Sequence, residues 1–159
     1  MARKQRDSKR DGGRFLALPH DVVNSAAYRA LSHVARSLLI DIAMQYSRYN
    51  NGKLTACMKY LRPLGWNSAD TITRAKADLL ASGLLIETRK GARPNKAGWY
   101  MLAWHDLDIA TGLDSQPETY ERVRREYRAA GSIRVSGAGL IPSHGVAKRA
   151  IAPSHGVRH

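Results

Sequence analysis

The sequence predicts an α+β fold, mainly α, in which short helices lead into one two-stranded hairpin. Three observations predict it. Apolar residues recur at helical spacing over 33–48 and again over 68–82. After Gly83 the period changes to two strand-like, apolar and aromatic runs, "LLIETRK" (84–90) and "GWYMLAW" (98–104). Capping and turn residues punctuate these runs: Ser32, Asn50-Asn51-Gly52, Pro63, Gly65 and Gly83.

Taken in order, residues 1–13 carry Arg3, Lys4, Arg6, Lys9 and Arg10 with few apolar residues, which predicts a disordered basic arm. "RFLALP" (14–19) is extended up to Pro19. "HDVVNSAAYRAL" follows as a helix broken near Asn24-Ser25. Ser32 caps a long helix over 33–48, whose stripe of Val34, Leu38, Ile42 and Tyr46 is widened by Ala35, Leu39 and Ala43. "KLT" (53–55) supplies one short strand. Thr55 is placed to cap a helix over 55–63 with Cys57, Met58, Leu61 and Leu64 inward, ended by Pro63 and Gly65.

"NSADTITRAKADLLASG" (67–83) opens on a capping Asn67 or Ser68. It has Asp70 in the first turn, where the helix dipole favours an anion, and ends on Gly83. Ile72, Ala75, Leu79 and Leu80 form its apolar side. In the hairpin that follows, alternation puts Trp99, Met101 and Ala103 on one face and Tyr100, Leu102 and Trp104 on the other. These aromatics, with Trp66, are expected to pack under the hairpin. Its tip, "GARPNKA", is polar and basic. Residues 105–116 are an exit loop and 117–131 a last helix. The stretch 132–159 has no acidic residue and repeats "PSHGV", at 142–146 and 153–157, which predicts a flexible basic tail.

This order matches a winged helix-turn-helix: support helix, short strand, short helix, turn, helix, hairpin. In such an arrangement the 55–63 helix crosses the nucleic-acid backbone and the 68–82 helix enters the major groove. At about 100° per residue, Asp70, Arg74, Ala77 and Ala81 fall opposite the apolar side, flanked by Asn67, Thr71, Thr73 and Asp78. Arginine can bridge guanine O6 and N7, and asparagine adenine N6 and N7. Asp70 has three open roles: accepting from cytosine, orienting Arg74 at i+4, or favouring the helix start. In the hairpin, Arg89, Lys90, Arg93 and Lys96 put four positive charges within eight residues, and Asn95 adds a neutral donor. Such groups bind phosphate with little base preference.

The whole chain carries 26 Lys+Arg against 13 Asp+Glu, a net charge of +13, which points to a polyanionic partner. Catalytic and cofactor readings find little support. No glycine-rich phosphate loop is present. His105-Asp106-Leu107-Asp108 has metal-binding residue types without spaced partners, and His144 and His155 lie in the tail repeats. Tyr46, Tyr49 and Tyr60 lack the histidine cluster that a DNA-nicking tyrosine needs. Cys57, the single cysteine, reads as a small core residue. No catalytic residue, metal site, cofactor or small-molecule substrate is therefore expected. The basic start is not followed by an apolar run, and "SLLIDIAM" is too short to span a bilayer. The expectation is a cytoplasmic protein, associated with nucleoid or plasmid DNA and not with membrane.

The stretch from Phe15 to Trp104, above all "ASGLLIETRKGARPNKAGWY", resembles small helix-turn-helix proteins of bacterial phages, plasmids and integrated elements. The likeness is to the winged-helix domains of replication-initiation proteins and related regulators, and it covers about residues 15–105. It implies that Asn67, Ser68, Thr71, Thr73 and Arg74 take the groove-facing places. Arg93, Asn95 and Lys96 would take the wing tip. The expected partner is double-stranded DNA, bound as monomer or homodimer, in transcription regulation or replication. A protein-interaction adaptor using the 117–130 helix, and a basic subunit of a replication or RNA-bound assembly, are the readings that compete.

Overall fold

The computed structural model describes residues 13–131 apart from 93 and 95, and of residues 125–131 the backbone alone. The expected basic arm, the tail with its repeats, and wing residues Arg93 and Asn95 lie outside the described residues. The fold is α+β and mainly helical, with one small antiparallel sheet. Its elements are α1 (His20–Asn24), α2 (Ala26–Ala30), α3 (His33–Ala43), α4 (Met58–Leu61), a 3₁₀ turn (Arg62–Leu64), α5 (Ala69–Ala81), β1 (Leu85–Arg89), β2 (Trp99–Leu102) and α6 (Pro117–Gly131).

Hydroxyl caps start three of the helices. Ser25 separates α1 from α2 and accepts the Tyr28 N–H at 3.1 Å. Ser32 accepts from Ala35 N–H at the start of α3. Ser68, not Asn67, caps α5 through the Thr71 N–H. Each cap satisfies a donor that a helix start otherwise leaves to water. α3 buries Ala35, Leu38, Leu39, Ile42 and Ala43. Burying leucines and isoleucines of this kind contributes about 1.5–3 kcal/mol each.

Two helices differ from their sequence expectation. α3 ends at Ala43, not at residue 48. Past it, Arg48 has φ of 75°, which no α-helix accommodates. Gln45 turns away to exchange hydrogen bonds with the Thr55 backbone, at 2.8 and 3.0 Å. Tyr46 therefore leaves the apolar stripe and stacks on His105, ring centroids 4.1 Å apart, while Val34 points outward. Because Thr55 is bound to Gln45, it does not cap the next helix; Cys57 holds that place without a side-chain bond. The expected 55–63 helix is one α-turn followed by the 3₁₀ turn containing Pro63, which lacks the N–H to continue an α-ladder. Leu61 is buried and Leu64 exposed.

β1 and β2 pair antiparallel in the register Leu85↔Leu102, Ile86↔Met101, Glu87↔Tyr100 and Arg89↔Trp99, with an irregularity between Glu87 and Arg89. The strand expected at 53–55 is a single bridge, Leu54 exchanging both backbone bonds with Tyr100. The predicted alternation is present. Leu85, Tyr100, Leu102 and Trp104 join the main core with α3 and α5. Ile86, Met101 and Ala103 face a second cluster with Tyr120 of α6. The hairpin is thus a two-sided layer. α6 is fastened to it by the Tyr120 hydroxyl, which donates to Thr88 O, and to the segment after β2 by Arg124, which pairs with Asp106 at 2.6 Å and with Glu121 one turn back in its own helix.

Candidate nucleic-acid interface

α5 is set into the molecule from one side. Ile72, Ala75 and Leu79 are buried, and α5 packs on α3. Its approach is fixed by Trp66, whose indole N–H donates to Asp41 of α3 at 2.6 Å, and by Tyr60, which donates to the Asp41 carbonyl. Gly83, at φ of 72°, ends the helix in the left-handed conformation that glycine tolerates best. The helix is thus anchored on one side, with its other side left to solvent.

That other side holds the residues the sequence singles out. Asn67, Ser68, Asp70, Thr73 and Arg74 are exposed and Thr71 is half-buried; Ala77, Asp78 and Ala81 are exposed further along. Ser68 and Thr73 have local work: Ser68 is the cap, and the Thr73 hydroxyl donates to Ala69 O at 2.9 Å. Arg74 forms no ion pair among the described residues, and neither does Asp70. Of the three roles open to Asp70, orienting Arg74 is therefore not the one the geometry displays. Arg74 stands out as a long donor with no intramolecular partner on the described face.

The hairpin cations separate into two kinds. Lys90 and Lys96 are exposed; Lys96 pairs across the tip with Ala92, and the Lys90 N–H is held by Asp114 at 2.6 Å. Arg89 is half-buried, with its guanidinium carbon 3.2 Å from the centroid of the Trp99 ring. Lys76 of α5 sits 5.7 Å from the Tyr100 ring, so the middle of α5 lies beside β2. Tyr100 donates its hydroxyl proton to Glu87. Burial, and then the Glu87 charge, push its pKa up to about 12.

Two features of the site are not marked by the sequence pattern. Lys59 of α4 and Arg62 of the 3₁₀ turn are exposed basic residues immediately before α5; their positions around buried Leu61 were the available signal. Asp41, in the last turn of α3, anchors the approach to α5, and nothing in the sequence marks that pairing. The histidine-aspartate stretch makes contacts within the fold: Asp106 pairs with Arg124, Asp108 accepts the Asn51 N–H, and His105 stacks on Tyr46. Among the described residues no group of three or more His, Cys, Asp or Glu is placed to hold a metal ion, and no helix is long and apolar enough to cross a membrane.

No known protein family, no curated protein and no solved structure matches this chain.

Proposed function

We propose that the chain is a non-enzymatic, double-stranded DNA-binding protein built as a winged helix-turn-helix. In this reading α4 and α5 are the helix-turn-helix, α5 lies in the major groove, and the β1–β2 hairpin is the wing. The role is regulation of transcription, or a replication function, on a mobile element. One observation carries it: α5 is anchored on one side by Ile72, Ala75 and Leu79 while its other side presents Arg74 with no ion pair among the described residues. Small Ala77 and Ala81 permit close approach to a groove floor, and the net charge of +13 supplies attraction to phosphate.

Arg74 is assigned to base reading, with Asn67 and Thr71 beside it. Lys90 and Lys96 are assigned to phosphate, together with Arg93 and Asn95. The test is selection of bound sites from a random duplex library, followed by binding of Arg74→Ala to the selected and to a random duplex. Arg74→Ala should lose about 1–3 kcal/mol of discrimination, roughly 5- to 150-fold, while random-duplex affinity changes far less. Equal loss on both duplexes would make Arg74 a phosphate contact, and no retardation of any duplex would end the DNA reading.

A further inference from the structure

The four basic residues of the hairpin look equivalent in the sequence, and the geometry separates Arg89 from Lys90 and Lys96. Its guanidinium lies face-on to Trp99 at 3.2 Å, and its Nη2 donates to the Ala97 carbonyl at 3.0 Å. Its Nε is buried with no hydrogen-bond partner among the described residues. The stack closes the hairpin just where the strand register slips, between Glu87 and Arg89.

Trp99 is itself held from other directions. Lys53 Nζ lies 5.1 Å from its ring centroid. Gly112 (φ 77°) comes so close that an added Cβ would sit 3.0 Å from the ring. Two residues further on, Asp114 donates its N–H to Thr88 O at 2.9 Å and accepts the Lys90 N–H at 2.6 Å. The root of the hairpin is therefore clamped on both strands, while Lys90 and Lys96 stay exposed.

We propose that Arg89 is a positioning residue and not a phosphate ligand: stacked on Trp99, it aims the hairpin so that the tip cations reach the DNA backbone. This rests on the DNA-binding reading above. The stack needs the planar guanidinium, because the ammonium of lysine keeps the charge but not the flat face or the fork of donors. A phosphate contact made through charge would instead be largely kept by lysine and would not depend on Trp99.

The test is duplex affinity over a salt series for the full chain carrying Arg89→Ala, Arg89→Lys, Trp99→Leu, the pair Lys90→Ala/Lys96→Ala, and Arg89→Ala added to that pair. A lost phosphate contact lowers the slope of log affinity against log salt by about 0.9. Positioning predicts that Arg89→Ala, Arg89→Lys and Trp99→Leu weaken binding alike, on the order of tenfold, with slopes reduced by about two contacts' worth. It also predicts that Arg89→Ala costs clearly less on top of the Lys90/Lys96 pair than it does in wild type, since independent sites would instead add in full. Trp99→Leu keeps the Arg89 charge, so it answers the question even where an Arg89 variant folds poorly. The proposal is overturned if Arg89→Lys and Trp99→Leu bind like wild type while Arg89→Ala loses one contact, or if Arg89→Ala remains fully additive. Wild type that fails to bind duplex overturns the DNA reading itself. Wild-type binding that depends on Lys90 and Lys96, with either contrary Arg89 result, overturns the positioning role alone.

Discussion

At Asn51 one carboxamide reaches four backbone groups inside the fold. The two protons of its Nδ2 are shared among the carbonyls of Leu102, His105 and Asp106, at 2.9–3.1 Å, and its Oδ1 accepts the Leu102 N–H at 2.8 Å. The side chain is fully buried. In the sequence, Asn50-Asn51-Gly52 signals only a turn; that the chain returns past it fifty residues later is not a local property. Leaving a buried polar group unpaired costs about 1–3 kcal/mol, and here the Leu102 N–H and several carbonyls lose their partner together. Asn51→Ala should lower unfolding stability by roughly 2–4 kcal/mol, measured by urea denaturation. Asn51→Asp should be no better, because it sets a carboxylate against three carbonyls. A loss under about 0.5 kcal/mol for Asn51→Ala, the range of an ordinary surface change, would contradict this assignment. Arg89 teaches the same lesson on the functional side: its residue type suggests phosphate, and only the position of Trp99 reveals the stack.

Elements were legible wherever their signals are local. α5 could be read almost to the residue because its cap, its apolar period and its terminating glycine all lie within seventeen positions. The two faces of the hairpin followed from alternation alone. α3 was overread, since Tyr46 keeps the helical period although the Gln45–Thr55 pairing has already diverted the chain. The helix before α5 was overread because Thr55 has the right type for a cap and the wrong partner. The candidate site was legible as the exposed side of α5, whereas its supports, Asp41 with Trp66 and Gly112 with Trp99, depend on contacts distant in sequence.

Across the hairpin, Tyr100 and Glu87 give a pH dependence. Burial and then the Glu87 carboxylate raise the Tyr100 pKa from the ordinary 10.0 to about 12. The folded chain thus holds this proton more tightly than the unfolded chain does. Its contribution to stability is complete below pH 10 and is lost as pH rises through 12. Tyr46 and Tyr60 are displaced in the same direction, chiefly by burial. Unfolding midpoints measured between pH 9 and 12 should fall, and Tyr100→Phe should flatten the decline. An equally steep decline in Tyr100→Phe would remove Tyr100 from the account.

At the scale of the whole molecule, the charge is spread more widely than the described elements. Residues 14–131 hold seventeen basic and eleven acidic residues, and the segments on either side hold nine and two. About half of the net charge therefore lies outside residues 14–131; in the proposed reading it adds affinity for phosphate without distinguishing sequences. Base preference, in the proposed reading, belongs to one side of α5. The most direct measurement is the map of backbone amide shifts as a short mixed-sequence duplex is titrated into the chain at low ionic strength. DNA reading through α5 and the wing requires the largest changes along Asn67–Asp78 and at Lys90 and Lys96, with α6 little affected. Changes confined to α6, or none along the exposed side of α5, would contradict it.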